Sequence, residues 1–186
     1  EDISGATMII NEFGSIDAKR VSGALDVKNR NGSVDISETS GDVKVSNAFG
    51  SIDVKNTRGS LNIDARMASL NVTGVENNVT VEDQFQSVKL EDVKGKVSVQ
   101  NKNGNVELRY VQPPRNSIQV TSQYGDVTVV LPPASSFSID ARTRYASVSS
   151  DFSELTQRND AERNSLTGQV GSSGPEIRID NKNGGI

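Results

Sequence analysis

Asp17, Asp35 and Asp53 recur at intervals of 18 residues. If that interval is one structural repeat, strand stacks on strand and the three carboxylates line up about 5 Å apart along one face. Carboxylates at that spacing are the raw material of a Ca²⁺ site or of a catalytic acid–base pair. The column ends quickly, because Asn71, Lys89 and Glu107 take the next places. Lys19 and Lys55 lie two residues beyond Asp17 and Asp53. A solvated face balanced by lysines is therefore the plainer reading, and exposed pairs of this kind contribute little to stability. The column is the one candidate ligand-binding set in the chain.

Other groups that could do chemistry are scattered. Glu107, Arg109 and Arg142 are the pieces of a polysaccharide-cleaving groove, but any long β-repeat supplies such groups by chance. Tyr110, Tyr124 and Tyr145 would stack on sugars if exposed. The chain contains neither cysteine nor histidine, which removes thiolate chemistry, the commonest general base and the commonest transition-metal ligand. No glycine-rich loop precedes a helix, so nucleotide binding has no support. Nonapeptide Ca²⁺ repeats read Gly-Gly-x-Gly-x-Asp. Here no unit has more than one glycine, and the aspartate column lies between aliphatic positions, so that motif is absent. The expectation is a protein with no catalytic residues, no metal and no cofactor.

The positioning elements come from a strict period. From Gly14 to Gln112 a nine-residue unit recurs, with an aliphatic side chain two and four places after each anchor: Ile16 and Ala18, Leu25 and Val27, and onward to Val106 and Leu108. Apolar–polar alternation with period two marks a half-buried strand. Valine and isoleucine dominate, which suits a pleated surface. Runs such as Lys28-Asn29-Arg30-Asn31-Gly32 are turns, since asparagine and glycine tolerate positive φ. A second period of 18 lies over the first. The residue before every other anchor runs Phe13, Asn31, Phe49, Met67, Phe85, Asn103. The positions seven after alternate anchors run Val21, Thr39, Thr57, Val75, Val93, Val111. Two units thus make one 18-residue coil with one packed corner and one wet corner.

This pattern predicts an all-β fold, a parallel β-solenoid of β-helix type, each coil holding two short strands with aliphatics between two facing sheets. The Phe/Met/Asn series should stack as a column at one corner, with its asparagines forming a ladder. An antiparallel meander is the competing geometry, because Asn-Gly also favours hairpins. It would leave its apolar face uncovered.

A single domain spanning residues 1–186 is expected, with regular repeats over 14–112. Insertions fall at 113–115 (Pro113-Pro114-Arg115) and 132–136, after which Ile118, Val120, Val127 and Val129 restore the register, and Tyr124 and Tyr145 continue the corner column. Residues 151–173 lose the alternation and read as an irregular loop or cap over one end, with 153–163 as a short helix or mobile loop. A final strand is expected over 175–186. Met8, Ile9 and Ile10 open the first coil. The net charge of −4 comes from 20 basic and 24 acidic residues, well mixed, which argues against nucleic acid as a partner. No apolar run approaches the ~18 residues of a membrane span. The chain begins at Glu1 rather than methionine, which reads as a mature or trimmed fragment.

Three stretches carry a family resemblance: Gly50-Ser51-Ile52-Asp53-Val54-Lys55-Asn56, Ser40-Gly41-Asp42-Val43-Lys44-Val45, and the ending Leu166-Thr167-Gly168-Gln169-Val170 through Gly174-Pro175-Glu176-Ile177-Arg178-Ile179 to Asn183-Gly184. Together they resemble the adhesin-like domain of unknown function called the toastrack domain, over nearly the whole chain. Ser172-Ser173 stand where that family usually has more glycine. The resemblance implies an all-β repeat domain of bacterial envelope proteins, extracytoplasmic at the periplasm or cell surface, often tethered to a membrane segment. It implies no established enzymatic activity and no catalytic residues to carry over. With the flat polar sheet faces and open ends of a solenoid, the expectation is a non-enzymatic binding or scaffold role, with a protein or an envelope polysaccharide as partner and with end-to-end self-association. A carbohydrate-binding or carbohydrate-active β-helix and a Ca²⁺-stabilised solenoid are the alternatives.

Overall fold

A computed structural model describes residues 4–160 and 163–186. Among these residues there is no helix, and the strands build a parallel β-solenoid with a spacing of 18 residues. The first rung is β1 (Thr7–Phe13) with β2 (Ile16–Lys19). The second, third and fourth are β3 (Leu25–Thr39), β4 (Val43–Thr57) and β5 (Leu61–Val75). The fifth is β6 (Val79–Asp83) with β7 (Val88–Val93), the sixth β8 (Val97–Asn103) with β9 (Val106–Arg109), and the seventh β10 (Ile118–Tyr124) with β11 (Val127–Val130). The parallel register excludes the meander. The two expected short strands are joined in the middle rungs, where β3, β4 and β5 run unbroken round the corner for 15 residues each.

The reason for this shape is the repeat itself. The residues at two and four places after the anchors, from Leu25 and Val27 to Val106 and Leu108, face inward and form one continuous buried core. Each rung leaves an apolar stripe that its neighbour covers, so burial grows with every rung added. The two corners differ. At one, Val21, Thr39, Thr57, Val75 and Val93 are buried, and Thr39 Oγ1 donates to Thr57 Oγ1 at 3.0 Å. At the other, the Phe13–Phe49–Phe85 series does stack rung on rung, but outside the core. Rungs approach closely there: a Cβ at Gly50, where φ is +121°, would collide with the carbonyl of Gly32 one rung below.

The chain order and the spatial order part company at the C-terminal end. β12 (Phe137–Thr143), β13 (Thr156–Asn159), β14 (Asn164–Val170) and β15 (Glu176–Asn181) complete the strands. β15, the last of them, does not extend the stack. It inserts between β10 and β12, parallel to both. Residues 184–186 follow it round the corner, where Val127 N donates to Gly185 O at 2.9 Å and Ser149 N to Ile186 O at 2.8 Å. The eighth rung is therefore β15 with residues 184–186, and β12 with residues 147–149 is the ninth.

The segment 151–173, expected as an irregular loop or cap, contains β13 and an antiparallel β14 that pairs with β12 and closes the stack. Leu166 and Val170 face the core as a strand would, but Gly168 stands between them and hides the alternation in the sequence. Part of the expected short helix or loop, residues 161–162, lies outside the described residues. Phe152 packs edge-on against Phe137 with ring centroids 5.1 Å apart. The polar strand β13 forms the outer edge at this end, a poor template for further pairing.

Candidate functional site

The aspartate column exists as the spacing predicts. Asp17 pairs in register with Asp35, Asp35 with Asp53, then Asn71, Lys89 and Glu107 follow on the same outer face. Asp17 and Asp35 are exposed and Asp53 is half-buried. Lys19 Nζ lies 3.1 Å from Asp17 Oδ2, and Asn71 Nδ2 donates to Asp53 Oδ1 at 3.0 Å. Each end of the column is thus held by a neighbouring cation or amide. Among the described residues, no three carboxylates converge as they would around a metal ion. The column is a stripe along a flat sheet face.

The groove imagined from Glu107, Arg109 and Arg142 is not assembled. Arg109 Nη2 bonds Glu107 Oε1 at 3.1 Å on β9. Arg142 lies on β12, in the other sheet and at the far end, where it clasps Asp140 through Nε at 2.8 Å and Nη2 at 2.7 Å. Two of the tyrosines are placed where a sugar could reach them and one is not. Tyr110 is 7% exposed, and burial together with the charge of Asp92 pushes its hydroxyl well above the usual phenol range. Tyr124 and Tyr145 are 52% and 70% exposed and stand in the corner column.

A buried polar ladder lies just inside that corner. Asn29, Asn47, Asp83, Asn101, Ser122 and Asn181 occupy one inward column, interrupted by Ala65. Asn47 Nδ2 donates to Gly32 O at 3.0 Å, Asn101 Nδ2 to Gly104 O at 2.9 Å, and Asn181 Nδ2 to Gly125 O at 2.9 Å. The side-chain amides satisfy corner carbonyls that the sheet ladder does not reach. This is the asparagine ladder of the fold. Asn31 and Asn103, the asparagines expected in that role, lie on the outer column instead. The signal was present three residues before every other anchor, at Asn11, Asn29, Asn47 and Asn101.

Asp83 is the odd member of the ladder. Its Oδ2 accepts from Gln86 N at 3.0 Å, while Oδ1 is buried without a partner. Burial raises its pKa to about 6, against the opposing pull of backbone N–H groups at Gln86, Gln84 and Phe85. It faces the interior of a corner, and burial and backbone N–H groups, not a neighbouring charge, set its titration.

What the described residues offer is repetition: flat polar faces and one apolar corner, each presenting the same position at every rung. The comparison with known families agrees with that architecture. The family model described as Toastrack DUF4097 matches residues 11–186. No curated protein and no solved structure matches the chain. A match over nearly the full length, joined to the 18-residue parallel solenoid, means that this chain belongs to the toastrack family.

Proposed function

We propose that the domain is a non-enzymatic, adhesin-like binding or scaffolding element of the bacterial cell envelope, at the periplasm or the cell surface. The observation that carries this reading is the register. Outward positions fall in register from rung to rung, and some keep one residue type over several rungs, as in the serine column whose Ser33 Oγ donates to Ser15 Oγ at 2.9 Å and which continues through Ser51 and Ser69. A regular array of outward side chains about 4.8 Å apart suits weak multivalent attachment to an extended partner. The glutamate and arginines that would make a cleaving groove are instead tied up in local ion pairs on separate sheets.

The test is co-sedimentation of the purified domain with separated envelope fractions (murein sacculi, surface polysaccharide and membranes), with a cytosolic extract as control. Saturable retention by an envelope fraction, with no release of new reducing ends, is the expected result. Retention by none of them, or catalytic release of sugar, would overturn the reading.

A further inference from the structure

The outer corner column has a second period that only the spatial order of the rungs makes visible. Read from the first rung to the ninth, the residues are Phe13, Asn31, Phe49, Met67, Phe85, Asn103, Tyr124, Asn183 and Tyr145. Every odd rung carries an aromatic ring. Every even rung carries asparagine, except for Met67. The alternation survives the break in chain order, because Asn183 arrives from the end of the chain to separate Tyr124 from Tyr145. The rings are 41% to 72% exposed. The ring pair found in contact is Phe137–Phe152 and not a corner pair, as expected for rings two rungs, or about 9.6 Å, apart.

A second alternation runs beside the first. The residue preceding each even-rung position is a cation: Arg30, Arg66, Lys102 and Lys182. The corresponding odd-rung residues are Glu12, Ala48, Gln84, Gln123 and Arg144. All four even-rung cations are exposed, and among the described residues none of them takes part in a salt bridge. The nearest acids on this face are Glu12 at the first rung, and Asp64, Glu82 and Asp180, one pleat behind Arg66, Gln84 and Lys182. The strip is thus locally basic on a protein whose net charge is −4.

We propose that this corner binds an extended acidic glycan, β-linked, with one carboxylate in each disaccharide. This deepens the binding role proposed above and rests on it. One ring every second rung offers a stacking platform at a step of about 9.6 Å, which is the length of a disaccharide in an extended β-linked glycan. One cation per step meets one carboxylate per disaccharide, and the asparagine amide beside it serves the neighbouring hydroxyls. The five rings span about 40 Å, room for four disaccharides. A second copy of the chain fits this strip poorly, since pairing it with itself would bring unpaired cations together. A single-stranded nucleic acid repeats its base and phosphate at every residue, a shorter interval than the ring step.

The experiment is an NMR and calorimetric titration of the domain with hyaluronan hexa- and octasaccharides, which carry one carboxylate per disaccharide. Neutral chitohexaose, oligothymidylate and anionic vesicles serve as comparisons. Expected are shift changes confined to the corner, at least ten-fold tighter binding than chitohexaose, and tightening from hexa- to octasaccharide. Combining Phe49→Ala with Phe85→Ala, or Arg66→Gln with Lys102→Gln, should weaken binding about ten-fold with the melting temperature unchanged, and Phe85→Tyr should preserve it. The proposal falls if hyaluronan leaves the corner resonances unmoved at millimolar concentration, or if chitohexaose, oligothymidylate, vesicles or a second copy of the chain takes the strip in preference. Co-sedimentation separates the two levels. A Phe49→Ala/Phe85→Ala variant still retained by envelope fractions removes the glycan strip alone, whereas a wild-type protein retained by none removes the binding role itself.

Discussion

Asp83 is where a carboxylate stands in an asparagine's place. At the equivalent positions the amides of Asn47 and Asn101 donate to corner carbonyls; an ionised carboxylate donates nothing, and Oδ1 of Asp83 is buried without a partner. The folded protein holds its proton up to about pH 6, whereas the unfolded chain releases it near 3.8. Below the lower value both states are protonated and the stabilisation is fully present. It is lost as pH rises through about 6, because the folded state then has to carry a buried charge. Asp83→Asn should therefore raise stability at pH 7.5 by about 1 kcal/mol, or 2–4 °C in melting temperature. It should also flatten the decline between pH 4 and pH 7, and thermal melts across that range measure both effects. Asn47→Ala acts in the opposite direction. It removes the shorter of two amide bonds to the Gly32 carbonyl, leaving that from Asn29 Nδ2 at 3.4 Å, and widens the gap already left by Ala65, at a cost of about 1 kcal/mol in a denaturant titration. The ladder could have been read from the 18-residue recurrence of asparagine. Its inward pointing was legible too, since the period-two alternation runs on through it: Leu25, Val27 and Asn29 are all buried, as are Val43, Val45 and Asn47; what hid it is that a polar residue type stands at an inward place.

At the scale of the element, the sequence makes the rungs legible and the end of the stack only partly so. The aliphatic pair after each anchor fixes strand, face and register together, since a slip of one residue would turn every valine outward. The corners are set by backbone contact. Gly50 sits at a φ of +121° with the Gly32 carbonyl where its Cβ would be. Ala68, in the same column one rung on, has its methyl buried without a positive φ. A side chain is therefore accommodated only when the turn changes conformation. Gly50→Ala should cost about 1–3 kcal/mol through that rearrangement, read as a fall in the denaturation midpoint. The strand β14 was hidden for a related reason. Gly168 at its centre, where a Cβ would meet Leu155 at 3.1 Å, contributes no side chain to the pattern, so the segment reads as loop although Leu166 and Val170 are core residues.

At the scale of the molecule, the intercalated eighth rung is the feature that no local pattern encodes. Ile177 and Ile179 announce a strand, but nothing in their spacing says that it lies between β10 and β12 and not after β14. Their burial decides how the stack closes: both are nearly inaccessible, wedged between Ile118 and Val120 on one side and Ile139 and Ala141 on the other. The rungs from β1 to β10 can each pair with the strand just made, but β12 and its partner β14 have no attachment to the stack through their strand edges until β15 fills the gap. Ile179→Asp places a charge in that gap with no counter-ion, a change that costs several kcal/mol. In a solenoid whose rungs touch only their neighbours, the loss stays local. Hydrogen exchange of the Ile179→Asp variant should show β12, β14 and β15 losing protection together while β4 and β5 keep theirs. Uniform loss across all rungs would mean instead that the stack opens as a single cooperative unit. Pulse labelling during refolding of the wild type should show the same division in time, with β12 and β15 protected together and after β3 to β5, since closing the longest sequence separation comes last.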